Sequence, residues 1–219
     1  MQLTIRPETP ADYRPAEALT REAFWNLYQP GCNEHHYLHQ LRASPAYLPE
    51  LAYVAELEGE LVGHIAYSRT KIVRADGSEF PTITFGPVCA APDHRARGIG
   101  SALIRRSLRA AKDLGHRAAV ILGDPRYYGR FGFHGCERFG LTLTDGKYLP
   151  GLMALELEPG ALAGVSGRFL EGFDYVPAGE ELAAFDAGFP AKEKGFKESQ
   201  RDFQVIYNLG YQVIEHGFM

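Results

Sequence analysis

With 219 residues, 45% of them hydrophobic and 23% charged, the chain has the make-up of a soluble globular protein with one full core and room for an appendage. A formal charge of -4 gives no broad attraction to a polyanion, and no apolar run approaches the ~20 residues that cross a bilayer, so neither nucleic acid nor membrane is an expected partner. Cys32, Cys89 and Cys136 stand far apart without the paired spacing of zinc sites or redox dithiols, so no metal is expected; with the polar opening from Met1 to Tyr13, they point to a cytoplasmic location.

Leu3 to Arg6 alternates apolar and polar residues as a short strand does. Thr9, Pro10 and Asp12 supply an N-cap, a first-turn proline and the far end of a capping box, so a helix is expected from Pro10 to about Trp25. Gln29-Pro30-Gly31 interrupts it, and Asn33 caps a second helix carrying His35, His36, Leu38 and Leu41. From Ala52 the period changes to two: Ala52 to Leu57 and Leu61 to Val73 are joined by the turn Glu58-Gly59-Glu60. Asp76-Gly77 makes the next turn, and Phe80 to Ala90 follows. Gly86-Pro87 inside that run cannot continue an ordinary ladder, so a bulge or splay is expected there.

A helix from Gly98 to Leu114 comes next, with Ile99, Ala102, Leu103, Ala110 and Leu114 expected on its buried face and Arg105, Arg109 and Lys112 in solvent. Gly115 ends it. Ala118 to Leu122 is a short apolar strand, so strand, helix and strand form a parallel crossover. Further strands are expected at Glu137 to Leu143 and Leu152 to Leu157, and helices at Glu180 to Phe185 and Glu198 to Tyr207. The fold class is α/β (α+β) with a mixed sheet, residues 1–158 forming the domain and 159–219 an extension packed on or beside it.

The chemistry concentrates where the strand ending at Ala90 meets the helix starting near Gly98. The first turn of a helix leaves backbone N–H groups unpaired, Gly98 and Gly100 let an anion approach the backbone, and Arg95 and Arg97 add charge. Taken alone, such a turn also opens dinucleotide and P-loop folds, but the third small residue of the first and the Gly-Lys-Ser/Thr of the second are missing.

Arg95, Gly98 and Gly100 fill the positions of motif A of the GNAT N-acetyltransferase superfamily, in which Gln or Arg, two residues, Gly, one residue, and Gly or Ala open an amphipathic helix. The segment resembles that motif. Tyr127-Tyr128-Gly129-Arg130-Phe131-Gly132-Phe133 resembles the family's motif B, Tyr-x-x-x-Gly-Phe, with Tyr128 at the tyrosine position. The likeness runs in order from about Ile5 to Leu157 and takes in Phe85-Gly86-Pro87-Val88.

This resemblance implies a mostly antiparallel central sheet with a splayed parallel pair and helices on both faces. It implies acetyl-CoA as cosubstrate and transfer of the acetyl group to an amine of a small molecule or peptide within a ternary complex. Val88, Cys89 and Ala90 would pair with the pantetheine arm, and Arg95, Ala96, Arg97, Gly98, Ile99, Gly100 and Ser101 would hold the pyrophosphate. A backbone N–H near Val88 or Cys89 would stabilise the oxyanion, and Tyr128, or else Tyr127, would protonate the departing thiolate. Buried free cysteine is common, so Cys89 is read as a packed residue rather than a nucleophile. Trp25, Tyr28, Glu34 and His35 are the candidate acceptor contacts. The base stays open among Glu22, Glu34, His35, His36 and His94. Two matters are open besides: a non-catalytic acyl-CoA sensor or interaction module on the same fold, and whether the extension covers the acceptor cleft, supports a homodimer or pads the sheet.

Overall fold

The computed structural model describes residues 2–175 and 179–209, so the last ten residues of the expected extension, 210–219, lie outside the described residues. In chain order the elements are β1 (Leu3–Pro7), α1 (Tyr13–Phe24), α2 (Glu34–Ala43), β2 (Tyr53–Leu57), β3 (Glu60–Val73), β4 (Glu79–Ala90), α3 (Ile99–Asp113), β5 (Ala118–Leu122) and α4 (Pro125–Tyr128). They continue with β6 (His134–Gly135), β7 (Leu141–Thr142), β8 (Leu152–Glu156), β9 (Gly167–Glu171), α5 (Gly179–Asp186) and α6 (Ser199–Asn208). One sheet runs β1-β2-β3-β4-β5-β8-β6, with β9 paired to β3 and β7. It is antiparallel except for the β4–β5 and β7–β9 pairs. The expected mixed α/β fold with one splayed parallel pair at its centre is therefore present.

Local signals set the start of the chain. The Thr9 N–H donates to Asp12 Oδ2 at 2.8 Å, closing the expected cap over a 3-10 turn that leads into α1. Arg6 grips the same carboxylate through two bonds of 2.7 Å, which ties the helix start to β1. Along β3 the side chains alternate: Ile65 and Tyr67 pack with Ile99, Leu103 and Ile104 of α3, while Ala66 packs with Ala16 of α1 and Leu38 and Leu41 of α2. Helices thus cover both faces.

The expected irregularity in β4 is real. Ile83 and Phe85 belong to the core cluster under α3, yet so, at its margin, do Val88 and Ala90, so the inward parity switches from odd to even numbers. One extra residue at Gly86-Pro87 accounts for the switch, and the register with β3 shifts opposite it, between Ile65 and Tyr67. On the other side, β4 is registered with β5 only at Ile83↔Ala119. Beyond that point the two parallel strands part.

Two expectations are corrected. Leu114 is 55% exposed, and the buried face of α3 is Ile99, Leu103, Ile104, Ser107, Leu108 and Ala111, with Ala102 and Ala110 half-buried; the helix ends at Asp113, before Leu114 can join that stripe. Glu137 to Leu143 is not one strand, because Gly140 at φ +67 follows a 3-10 turn over Cys136–Phe139 and leaves only the two residues of β7 extended. Residues beyond 158 also supply β9, which continues the sheet from Thr70↔Glu171 to Val73↔Arg168 and was not expected.

Glu8, just past β1, anchors the face under α1 and α2. Its carboxylate accepts from His64 at 2.8 Å and Tyr47 at 2.6 Å and pairs with Arg42 at 2.5 Å, with the Glu8, Arg42 and His64 side chains nearly fully covered. Burial alone would raise this carboxyl, but the His64 hydrogen bond and the Arg42 charge outweigh it and hold it at about 2 against an ordinary 4.5. His64 is itself pushed down by burial and acts as a neutral Nε2–H donor. Because the folded value is the lower one, the stability from Glu8 is fully present above the ordinary value and lost as pH falls toward about 2. Glu8→Gln removes one of the two carboxylates that face Arg42, leaving Glu17 at 3.1 Å, and weakens the bonds from His64 and Tyr47, so it is expected to cost about 1–3 kcal/mol in urea unfolding at pH 7. An unchanged midpoint would rule this network out as the anchor.

Candidate active site

The loop between β4 and α3 turns through two left-handed residues, Ala96 at φ +60 and Gly98 at φ +81. The first closed turn of α3 is the bond from Ala102 N–H to Gly98 O at 2.9 Å. No backbone N–H from Ala96 to Ser101 bonds to another described residue, and no side chain caps the helix. Six consecutive amides at a helix N-terminus form a concave donor set for an anion with several oxygens, such as a diphosphate. The Arg95 guanidinium donates to Ala23 O at 2.6 Å, pinning the loop to the end of α1 while lining the cleft. Arg97 is exposed and lies outside the cleft wall.

Beside this loop, Val88 to Ala90 presents a free strand edge. Ala91 N–H bonds Val62 O at 2.8 Å, and antiparallel alternation then turns the Cys89 N–H toward β3 and the Val88 and Ala90 N–H groups toward the opening. Of the two expected oxyanion donors, Val88 has the outward amide and Cys89 does not. The Cys89 thiol lies buried 3.7 Å from Thr20 Oγ1, and burial pushes it up to about 12, so it stays a protonated packing group.

Tyr128 lines the cleft from α4, packed against Phe85 and Phe133, and its hydroxyl has no hydrogen-bond partner among the described residues. Burial first, then the neighbouring Tyr28 and Tyr207, push its phenol well above the ordinary range, so it is protonated at any working pH. Tyr127 is oriented differently, 3.3 Å from Ser101 Oγ at the start of α3. The ring of Tyr128 fits only because residue 123 is glycine: a Cβ there would stand 2.2 Å from its Cδ2 and Cε2.

The acceptor candidates divide. Tyr28 and Glu34 line the cleft, together with His94 of the candidate bases. Burial pushes Glu34 up to about 7, while its Oε2 accepts the Asn33 N–H at 3.0 Å. Trp25 and His35 do not line it; they hold the C-terminal tail. Trp25 Nε1–H donates to Glu193 O at 2.8 Å under the Arg21 guanidinium. His35 Nε2 stands 3.0 Å from Asp186, which also binds Arg21 at 2.6 Å, and burial drives this imidazole down to about 4. Glu22 and His36 are likewise engaged, with Lys192 and with Tyr175.

The tail also brings residues to the site that the sequence reading missed. Phe203, Ile206 and Tyr207 of α6 line the same cleft of about 810 Å³, a size suited to a cofactor-sized ligand. Their i, i+3, i+4 spacing was the available signal.

Residues 4–136, more than half of the chain, match the sequence model of the acetyltransferase (GNAT) domain. The chain belongs to the GNAT acetyltransferase family. It is 27% identical over 165 residues to the uncharacterized N-acetyltransferase YhbS of Escherichia coli strain K12, covering 75% of this chain and 93% of that protein. Among solved structures, YhbS from Escherichia coli in complex with CoA is similar with a TM-score of 0.67 at 27% identity, covering 78% of this chain and 90% of that one. A GNAT family acetyltransferase from Brucella melitensis in complex with acetyl-CoA gives 0.63 at 30% identity, covering 79% and 99%.

The fit of Tyr128 to residue 123 is directly testable. Gly123→Ala is expected to cost about 1–3 kcal/mol in urea unfolding through overpacking. Gly129→Ala, at ordinary helical angles with nothing within 4 Å of its Cβ, should stay within about 0.5 kcal/mol of the parent. Equal effects at the two positions would show that the ring has room to move.

Proposed function

We propose that the chain is an N-acetyltransferase that carries the acetyl group of acetyl-CoA to an amine in a ternary complex. The observation that carries this reading is the meeting in one cleft of a run of unpaired amides, with Ala96, Gly98, Ile99, Gly100 and Ser101 in its wall, and the bare edge of β4. Two relatives similar over more than three quarters of the chain hold CoA or acetyl-CoA, which supports the same ligand here. Acetyl-CoA supplies a thioester carbon open to a neutral amine and a thiolate that leaves with a proton.

The residues divide that work. The amides of Ala96 to Ser101 bind the diphosphate, and the N–H and C=O groups of Val88 and Ala90 orient the pantetheine arm by adding it to the strand edge. The Val88 N–H donates to the carbonyl oxygen as it becomes negative. Glu34 takes a proton from the incoming ammonium, and burial, by raising its basicity, narrows the gap to an amine. Tyr128 O–H gives its proton to the sulfur and regains one from the nitrogen as the amide forms. The burial that makes this phenol a weaker acid also destabilises a thiolate in the same cleft, so the two stay matched.

The test is release of coenzyme A thiol from acetyl-CoA in the presence of amines. Tyr128→Phe is expected to lower kcat about 100-fold with the KM for acetyl-CoA nearly unchanged. With Glu34 as base, kcat/KM for the amine should rise with pH and level off near 7, a break that Glu34→Gln removes. Thiol release that ignores both substitutions would contradict the assigned roles.

A further inference from the structure

The acceptor end of the cleft is built by α6, which lies outside the matched residues 4–136. Two sets of bonds fix this helix across the opening. On one side Ser199 Oγ donates to Leu27 O at 2.7 Å and Gln200 Nε2 to Asn26 O at 3.1 Å. On the other, Tyr207 O–H donates to Leu122 O and Gly151 N–H to Ile206 O, both at 3.1 Å, which ties α6 to the end of β5 where the strands part. The helix thereby places Phe203 between two rings, 4.5 Å from Tyr28 and 4.1 Å from Tyr207. The wall facing the β4 edge is aromatic and apolar.

Against that wall stands one uncompensated carboxylate. Among the described residues no lysine, arginine or histidine forms an ion pair with Glu34. The other acids at this end are engaged: Asp124 pairs with Arg126 at 2.6 Å, and Asp202 lies 3.6 Å from the same guanidinium. A buried carboxylate without a counter-charge is costly and is relieved by a cationic ligand. One ammonium matches it, and aromatic faces add attraction for that charge and cover for an apolar body.

Resting on the transferase reading, we infer that the acceptor is a monoamine without a carboxylate, its single ammonium met by Glu34 and its aromatic or bulky apolar body packed on Tyr28, Phe203 and Tyr207. A polyamine or aminoglycoside would leave further charges against these rings with no counter-ion, and a free amino acid would set its own carboxylate near Glu34. A peptide would bury amides against side chains that offer few hydrogen bonds. The C-terminal helix thus completes, with Tyr28 and Glu34 of the core, the surface that reads the acceptor.

The experiment compares thiol release with 2-phenylethylamine, phenylalanine, spermidine, kanamycin and a short peptide. The expected kcat/KM for 2-phenylethylamine exceeds that of each other acceptor by about 30-fold or more, the worth of one buried ring. Phe203→Ala should raise the KM for 2-phenylethylamine about 10-fold, leaving the KM for acetyl-CoA unchanged and kcat within about twofold, and Phe203→Leu should recover most of the loss. Calorimetric titration of 2-phenylethylamine into the full chain saturated with coenzyme A gives a readout independent of turnover. Binding that weakens in Glu34→Gln and Phe203→Ala supports the acceptor class even without thiol release, an outcome that would count against the transfer reaction alone. Preference for spermidine, kanamycin, phenylalanine or the peptide, or absence of 2-phenylethylamine binding, overturns the inference.

Discussion

Between Ile83 and Ala90 one strand has two neighbours and satisfies only one of them. The extra residue at Gly86-Pro87 rotates the second half of β4 so that it stays registered with β3, as Val88↔Ile65 and Cys89↔His64, while losing β5 after Ile83↔Ala119. Buried backbone groups are otherwise almost always paired. A strand edge left open inside the sheet, lined by Phe85 and Tyr128, runs on to a helix start whose first amides are also unpaired among the described residues, so one cleft offers main-chain donors along its length. The free edge follows from that one loss of pairing, and the β4–α3 loop and Tyr128 line the same cleft.

What holds the opening in shape lies at some distance from it. The Glu8 network with His64, Arg42 and Tyr47 fixes β3 and α2 on the face opposite α3, and His64 is the register partner of Cys89. Arg95 ties the anion loop to Ala23, so the end of α1 and the start of α3 are set relative to each other. The tail then wraps α1 and α2 through Asp186, Glu193 and Gln200 before α6 reaches the cleft.

The parts of the site legible in the sequence are those made by neighbours in the chain. Gly86-Pro87 foretells the splay because neither residue suits a ladder, and Gly98 and Gly100 foretell the turn into α3 with its unpaired amides because a helix start and its donors are local. The segment Tyr127 to Phe133 marks the short helix that sets Tyr128 in the cleft wall. Trp25 and His35 show the opposite case: an aromatic ring or imidazole on a helix face advertises a contact without saying with what, and here the partners, Glu193 and Asp186, lie 168 residues from Trp25 and 151 from His35, away from the cleft lining. The spacing of Phe203 and Tyr207 marks an apolar helix face, and only the docking of α6 shows that this face meets the cleft. Gly123 carries no signal of its own, since its role depends on a ring five residues later folding back over it.

The main-chain N–H groups of Ala96 to Ser101 report on coenzyme binding most directly when each is followed on its own. Amide resonances of the 15N-labelled chain, recorded as coenzyme A is added, are expected to move most at Ala96 to Ser101, with Val88 and Ala90 next and Cys89, whose N–H is already held by β3, changing little. Saturating coenzyme A that leaves residues 96 to 101 unshifted, or that shifts a different surface, would contradict the account.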